Sequence, residues 1–131
     1  MLKEVYIKEL IPNNFYISQS KLNKVREAYG INNQDSLPPI LVGIIGEEYA
    51  LIDGHSRVMA AFEKELETIT ADVHPIGAIE GPIDLYITIH NKAKEMGLDS
   101  IERLKGRILV DEEYKKLWIE YCENLMNELD K

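Results

Sequence analysis

The sequence predicts an α+β fold, with strands and helices alternating over residues 1–76 and a helical extension over 82–131. Three observations lead there. Short β-branched runs alternate with helix-periodic segments up to Val73. The stretch Pro75–Pro82 holds two prolines and two glycines, and helical periodicity alone lies beyond it. The chain has 131 residues, 45% of them hydrophobic, which suits one domain and is too short for two of ordinary size.

Val5-Tyr6-Ile7 and its neighbours read as a short strand, and Ile11-Pro12-Asn13-Asn14-Phe15 as a turn. A helix capped by Ser18 or Ser20 carries Leu22, Val25 and Ala28 on one face, with Gly30 placed to end it. Asn32 to Ser36 is expected to be a polar loop, and Pro38-Pro39 forces an extended approach into the next strand. Ile40 to Ile45 and Tyr49 to Ile52 read as an antiparallel hairpin turning at Gly46-Glu47-Glu48. Ser56 to Lys64 is a helix and Thr68 to Val73 a strand. In the extension, one helix carries Leu85, Ile89, Ala93 and Met96 and ends at Gly97; a short second one runs from Asp99 to about Gly106. The last presents Tyr114, Leu117, Trp118, Tyr121, Leu125 and Leu129 as an apolar stripe. Any part of that stripe left uncovered is expected to serve as a homodimer interface.

Charge narrows the partners. With 15 Lys and Arg against 23 acids the net charge is −8, so no direct DNA binding is expected. Cys122 is the sole cysteine and reads as a small core residue; together with the absence of a signal-type N-terminus and of any long apolar run, it points to a cytoplasmic location without membrane contact. His74 and His90 lack partners at metal-ligand spacing.

The segment Ala50 to Ala61 carries the most chemistry. An apolar β-type run stops at Asp53-Gly54, and an alanine-rich helix begins at once, so His55, Ser56 and Arg57 fall on its first turn. There the free backbone N–H groups and the positive end of the helix dipole favour an anion, phosphate above all. Arg57 adds a planar donor fork. Asp53 has two readings: it caps the helix and fixes the turn, or it holds a Mg2+ ion that bridges phosphates.

Leu37-Pro38-Pro39-Ile40-Leu41-Val42 followed by Leu51-Ile52-Asp53-Gly54-His55-Ser56-Arg57-Val58-Met59-Ala60-Ala61 resembles the ParB/sulfiredoxin superfamily, over roughly residues 4 to 74. The resemblance implies a small mixed sheet packed by helices, and a corner that holds nucleotide phosphates. ATP, ADP or CTP with Mg2+ would be the ligand; Gly54 would allow close backbone approach, with His55, Ser56 and Arg57 facing the phosphates. His55 stands where sulfiredoxins have a cysteine, which excludes their chemistry. Partition proteins have Gly-Glu-Arg-Arg where this chain has Gly54-His55-Ser56-Arg57, and their helix-turn-helix region has no basic counterpart in the extension. The local corner is most similar to that of free serine kinases. That likeness implies a small hydroxyl-bearing acceptor and an acidic base, for which Glu9 and then Asp53 are the candidates. Three functions fit the resemblance: a phosphotransferase or nucleotide hydrolase, a nucleotide-dependent switch, or a partner-binding module.

Overall fold

A computed structural model describes residues 1–31 and 37–130. In chain order they form β1 (Leu2–Tyr6), β2 (Leu10–Pro12), β3 (Ile17–Ser18), α1 (Gln19–Ile31), β4 (Ile40–Ile45), β5 (Glu48–Asp53), α2 (His55–Glu63) and β6 (Thr68–Pro75). The extension then adds α3 (Ile83–Glu95), β7 (Ile108–Leu109), α4 (Asp111–Tyr114) and α5 (Glu120–Leu129). A π turn over Lys115–Ile119 joins α4 to α5.

The main sheet has five strands in the order β1-β6-β4-β5-β2. It is mixed: β1–β6 and β4–β5 are antiparallel, whereas β4–β6 and β2–β5 are parallel. The β4–β5 hairpin turns through Gly46-Glu47, with Ile45 paired to Glu48, and Gly46 takes the positive φ of 63° that such a tight turn requires. β2 replaces part of the expected turn at Ile11–Phe15. Three residues are too few to show a period, and Pro12 is tolerated because β2 lies at the sheet edge, where a missing N–H breaks no ladder.

Helix α1 starts where Ser18 Oγ accepts the Lys21 N–H at 3.3 Å, which selects Ser18 over Ser20 as the cap. It continues through Gly30 to Ile31, beyond the expected stop. The loop expected over 32–36 lies outside the described residues. Arg26 clamps α1 to α2 through a two-pronged contact with Glu63, Nε to Oε1 at 2.9 Å and Nη2 to Oε2 at 2.5 Å.

The extension closes onto the module next to α1. β3 and β7 pair in parallel, Ile17 with Ile108 and Ser18 with Leu109, a two-residue ladder too short to read from sequence. Arg107 Nε donates to the Phe15 carbonyl at 2.7 Å, and the Phe15 ring packs on Trp118 with centroids 5.0 Å apart. The short helix expected after Asp99 is a 3-10 segment, Ile101–Arg107. Leu22, Leu51 and Met59 of the module and Ile89, Leu104 and Trp118 of the extension belong to one buried cluster. The expected C-terminal stripe splits: Trp118 and Leu125 are buried, while Leu117 and Leu129 are exposed beside Ile119 and Met126. The π turn takes Leu117 off the face of Trp118, since one added residue rotates the helix face by about 100°, while Leu129 lies at the end of α5. Among the described residues, no helix is long and apolar enough to cross a membrane.

Candidate functional site

The corner begins with an irregularity in the sheet. Val42 pairs with Leu51 and Leu41 with Asp53, so Ile52 is the extra residue of a bulge one step before the turn. Gly54 then adopts φ 110°, and a Cβ built there would lie 2.6 Å from Ile40 Cγ2. Both the backbone angle and the close approach of β4 require glycine. Gly54 is the residue before the first turn of α2, and no side chain caps that turn. Asp53, expected as a cap, instead pairs with Arg57 at 3.3 Å and is largely exposed.

The first turn of α2 lines a cleft of about 350 Å³. Ile52 to Arg57 form one wall, Lys21, Lys24 and Val25 of α1 a second, and Asn14, Ile17, Ser18 and Tyr114 the remainder. Three cations (Lys21, Lys24 and Arg57) stand there against one carboxylate, on a chain of net charge −8. Sequence reasoning misses the two lysines and Tyr114 as site residues. The lysines are three residues apart on α1 and so share a face. Nothing local in the sequence directs that face to the corner.

Two residues expected to face phosphates have other attachments. His55 is buried, and its Nε2 accepts the Asn13 backbone N–H at 3.0 Å. Burial pushes its pKa down to about 3, so the ring is neutral at ordinary pH and supplies no positive charge to an anion. Arg57 reaches back to the double proline, its Nη1 donating to the carbonyls of Pro38 at 2.7 Å and Pro39 at 2.9 Å. With Nη2 on Asp53, the guanidinium is first a brace between α2 and the start of β4. Ser56 borders the cleft.

Glu9 is not in this cleft. It ends the turn Ile7–Glu9 and lies with Glu47, Glu48 and Tyr49, at the opposite end of β5 from Asp53. Its neighbour Leu10 pairs with Tyr49, four residues and about 13 Å of strand from Asp53. The parallel β2–β5 pairing causes this separation and removes Glu9 as a base at the corner. Asp53 is left as the carboxylate lining the cleft. Among the described residues no three His, Cys, Asp or Glu side chains cluster to hold a metal. A Mg2+ ion here would be held by Asp53 together with ligand phosphates, a donor set that suits that metal.

Residues 1–81 match the model of the ParB N-terminal domain. The chain belongs to the ParB N-terminal domain family. No curated protein matches this ParB N-terminal domain chain. Among solved structures it is similar to sulfiredoxin from Arabidopsis thaliana, at 21% identity and a TM-score of 0.45 over 57% of this chain and 85% of that one. It is also similar to a protein from Agrobacterium tumefaciens, at 15% identity and a TM-score of 0.49 over 79% of this chain and 61% of that one. A conserved hypothetical protein from Pyrococcus furiosus matches at 17% identity and a TM-score of 0.47, over 61% of this chain and 34% of that one. This ParB-like chain thus spans less than two thirds of the latter two proteins.

Proposed function

We propose that this ParB-like chain binds a nucleotide at the Gly54 corner, with the phosphates on the α2 amides and between Lys21 and Lys24. The observation that carries this is the placement of three cations and an uncapped helix start around one cleft of an otherwise acidic molecule. An anion there meets backbone N–H groups, the dipole of a nine-residue helix and flexible ammonium groups. Asp53 holds Mg2+ together with the phosphates, and Arg57 keeps the corner in shape.

Binding, rather than turnover, is the activity these residues support best. A phosphoryl transfer to a hydroxyl acceptor would need a base, and Asp53 is the one carboxylate bordering the cleft. That carboxylate is already engaged by Arg57 at 3.3 Å, and among the described residues no second carboxylate borders the cleft to serve as base while Asp53 holds a metal. Calorimetry with CTP, ATP and ADP in the presence of Mg2+ tests the proposal. One nucleotide binds, its Kd rises with salt, and Lys21→Ala with Lys24→Ala weakens it at least tenfold. No heat of binding with any of the three rejects the assignment.

A further inference from the structure

The cleft is not built by the ParB-like module alone. Tyr114 comes from α4 of the extension, and it borders the same cavity as Gly54 and the two lysines. It is held there from both sides. Before it, β7 pairs with β3, and Asp111 Oδ1 accepts from Ser20 Oγ at 2.7 Å. After it, Trp118 packs on Phe15. Tyr114 is half-buried, and its hydroxyl oxygen accepts from Asn14 Nδ2 at 3.4 Å. That contact is long for a hydrogen bond, so both groups remain available to a better partner.

The lining of the cleft combines two chemistries. His55 and Arg57 are two residues apart on α2 and so point about 200° apart around the helix. Arg57 faces Pro38 and Pro39, whereas His55 faces Asn13, next to Asn14 and Tyr114. Besides the three cations on α1 and Arg57, the lining holds an aromatic ring, a carboxamide and the apolar Ile17. The Tyr114 hydroxyl and the Asn14 carboxamide can donate to a phosphate, but the tyrosine ring and Ile17 offer it nothing. A planar heterocycle gains a stacking face and a group that donates and accepts hydrogen bonds.

We propose that the extension completes the ligand site: Tyr114 stacks on the base of a bound nucleotide, Asn14 hydrogen-bonds its edge, and this pair selects which base is accepted. The inference rests on the nucleotide reading of the Gly54 corner and assigns base choice to a segment outside residues 1–81. Binding then also ties the extension to the module, because one ligand touches both.

The test is calorimetry on the full chain with CTP, ATP and inorganic tripolyphosphate. The wild-type chain binds one of the two nucleotides more tightly than the other and more tightly than tripolyphosphate. Tyr114→Ala and Tyr114→Leu each weaken the preferred nucleotide about tenfold and leave tripolyphosphate unchanged, while Tyr114→Phe stays within about threefold. Lys21→Ala weakens all three ligands. Wild-type affinity for nucleotide and tripolyphosphate that is equal overturns the base assignment and needs no variant to show it. Equal weakening of all ligands by Tyr114→Leu also overturns it, because that is the mark of a structural role. If Lys21→Ala loses binding while both Tyr114 variants keep it, the phosphate site stands and the extension has no part in it. A wild-type chain that binds tripolyphosphate and neither nucleotide overturns both readings.

Discussion

The backbone N–H of Asn13 is shared between two acceptors, the Leu51 carbonyl at 3.1 Å and His55 Nε2 at 3.0 Å. One hydrogen therefore ties the end of β2 both to β5 and to the first turn of α2. An accepting Nε2 places the ring proton on Nδ1, and the imidazole is neutral. His55 is thereby a structural pin of the cleft rather than a charge within it.

Stability against pH depends on that pin. The His55 pKa is depressed to about 3 by burial, while the unfolded chain protonates near 6.5. Below 6.5 the unfolded state binds a proton that the folded state refuses, so stability falls as pH falls, by about 1.4 kcal/mol per pH unit at the limiting slope. Above 6.5 both states are neutral at this residue and its contribution is constant. Urea denaturation of the wild-type chain and of His55→Gln, whose side-chain oxygen can take over the Asn13 hydrogen, checks this between pH 7 and 5. The variant has the shallower slope; parallel slopes would place His55 in contact with solvent.

Two glycines with positive φ separate backbone strain from crowding. At Gly46, with φ 63°, an added Cβ meets nothing within 4 Å, so Gly46→Ala costs about 1 kcal/mol from the backbone angle alone. At Gly54, with φ 110°, the Cβ would also collide with Ile40, and Gly54→Ala costs about 3 kcal/mol or more. Chemical denaturation of the two variants side by side measures the difference. Equal losses would mean that β4 yields at Ile40 and that the corner is less tightly built than its geometry indicates.

Arg57 and the two lysines should come apart in the same experiments. Replacing Arg57 leaves the Pro38 and Pro39 carbonyls without their shared donor, so Arg57→Ala loses about 1–3 kcal/mol of stability as well as ligand affinity. Lysine at this position restores the charge but not the fork. Lys21 and Lys24 are exposed, and removing both charges leaves the unfolding free energy from urea titration within about 0.5 kcal/mol of the parent while affinity drops. A lysine pair whose loss unfolds the chain would show that it has a packing role.

How much of this could be read from the residues depends on the range of the interactions. The Asp53–Arg57 corner was legible because it is local: an apolar β-type run, Asp-Gly and an alanine-rich helix lie within twelve residues, and β5, Gly54 and α2 fall where that pattern puts them. The hairpin through Gly46 was legible for the same reason. The residues that decide the chemistry were not. Lys21, Lys24 and Tyr114 reach the cleft through the packing of α1 and the β3–β7 ladder, and these contacts are 30 or more residues apart in the chain. His55 reads as a phosphate donor until the fold buries it under Asn13. Arg57 likewise reads as a free fork until Pro38 and Pro39 lie beside it. Glu9 was misplaced because the parallel pairing of β2 with β5 sets its end of the strand, and a three-residue strand carries no direction in its pattern.

Cys122 offers a direct probe of how firmly the extension sits. It lies on α5, half-buried, and burial pushes its thiol up to about 11. At pH 8 the thiolate fraction is then about two-hundredfold lower than for an exposed cysteine with an ordinary pKa near 8.5. Alkylation by iodoacetamide at pH 8 is correspondingly slow in the folded chain and fast in urea. Asp111→Ala removes the acceptor for Ser20 and loosens the segment beside Tyr114, so it raises the labelling rate by favouring local opening while the module stays folded. Wild-type labelling as fast as in urea would mean that the extension is undocked in solution, leaving the cleft without its Tyr114 wall.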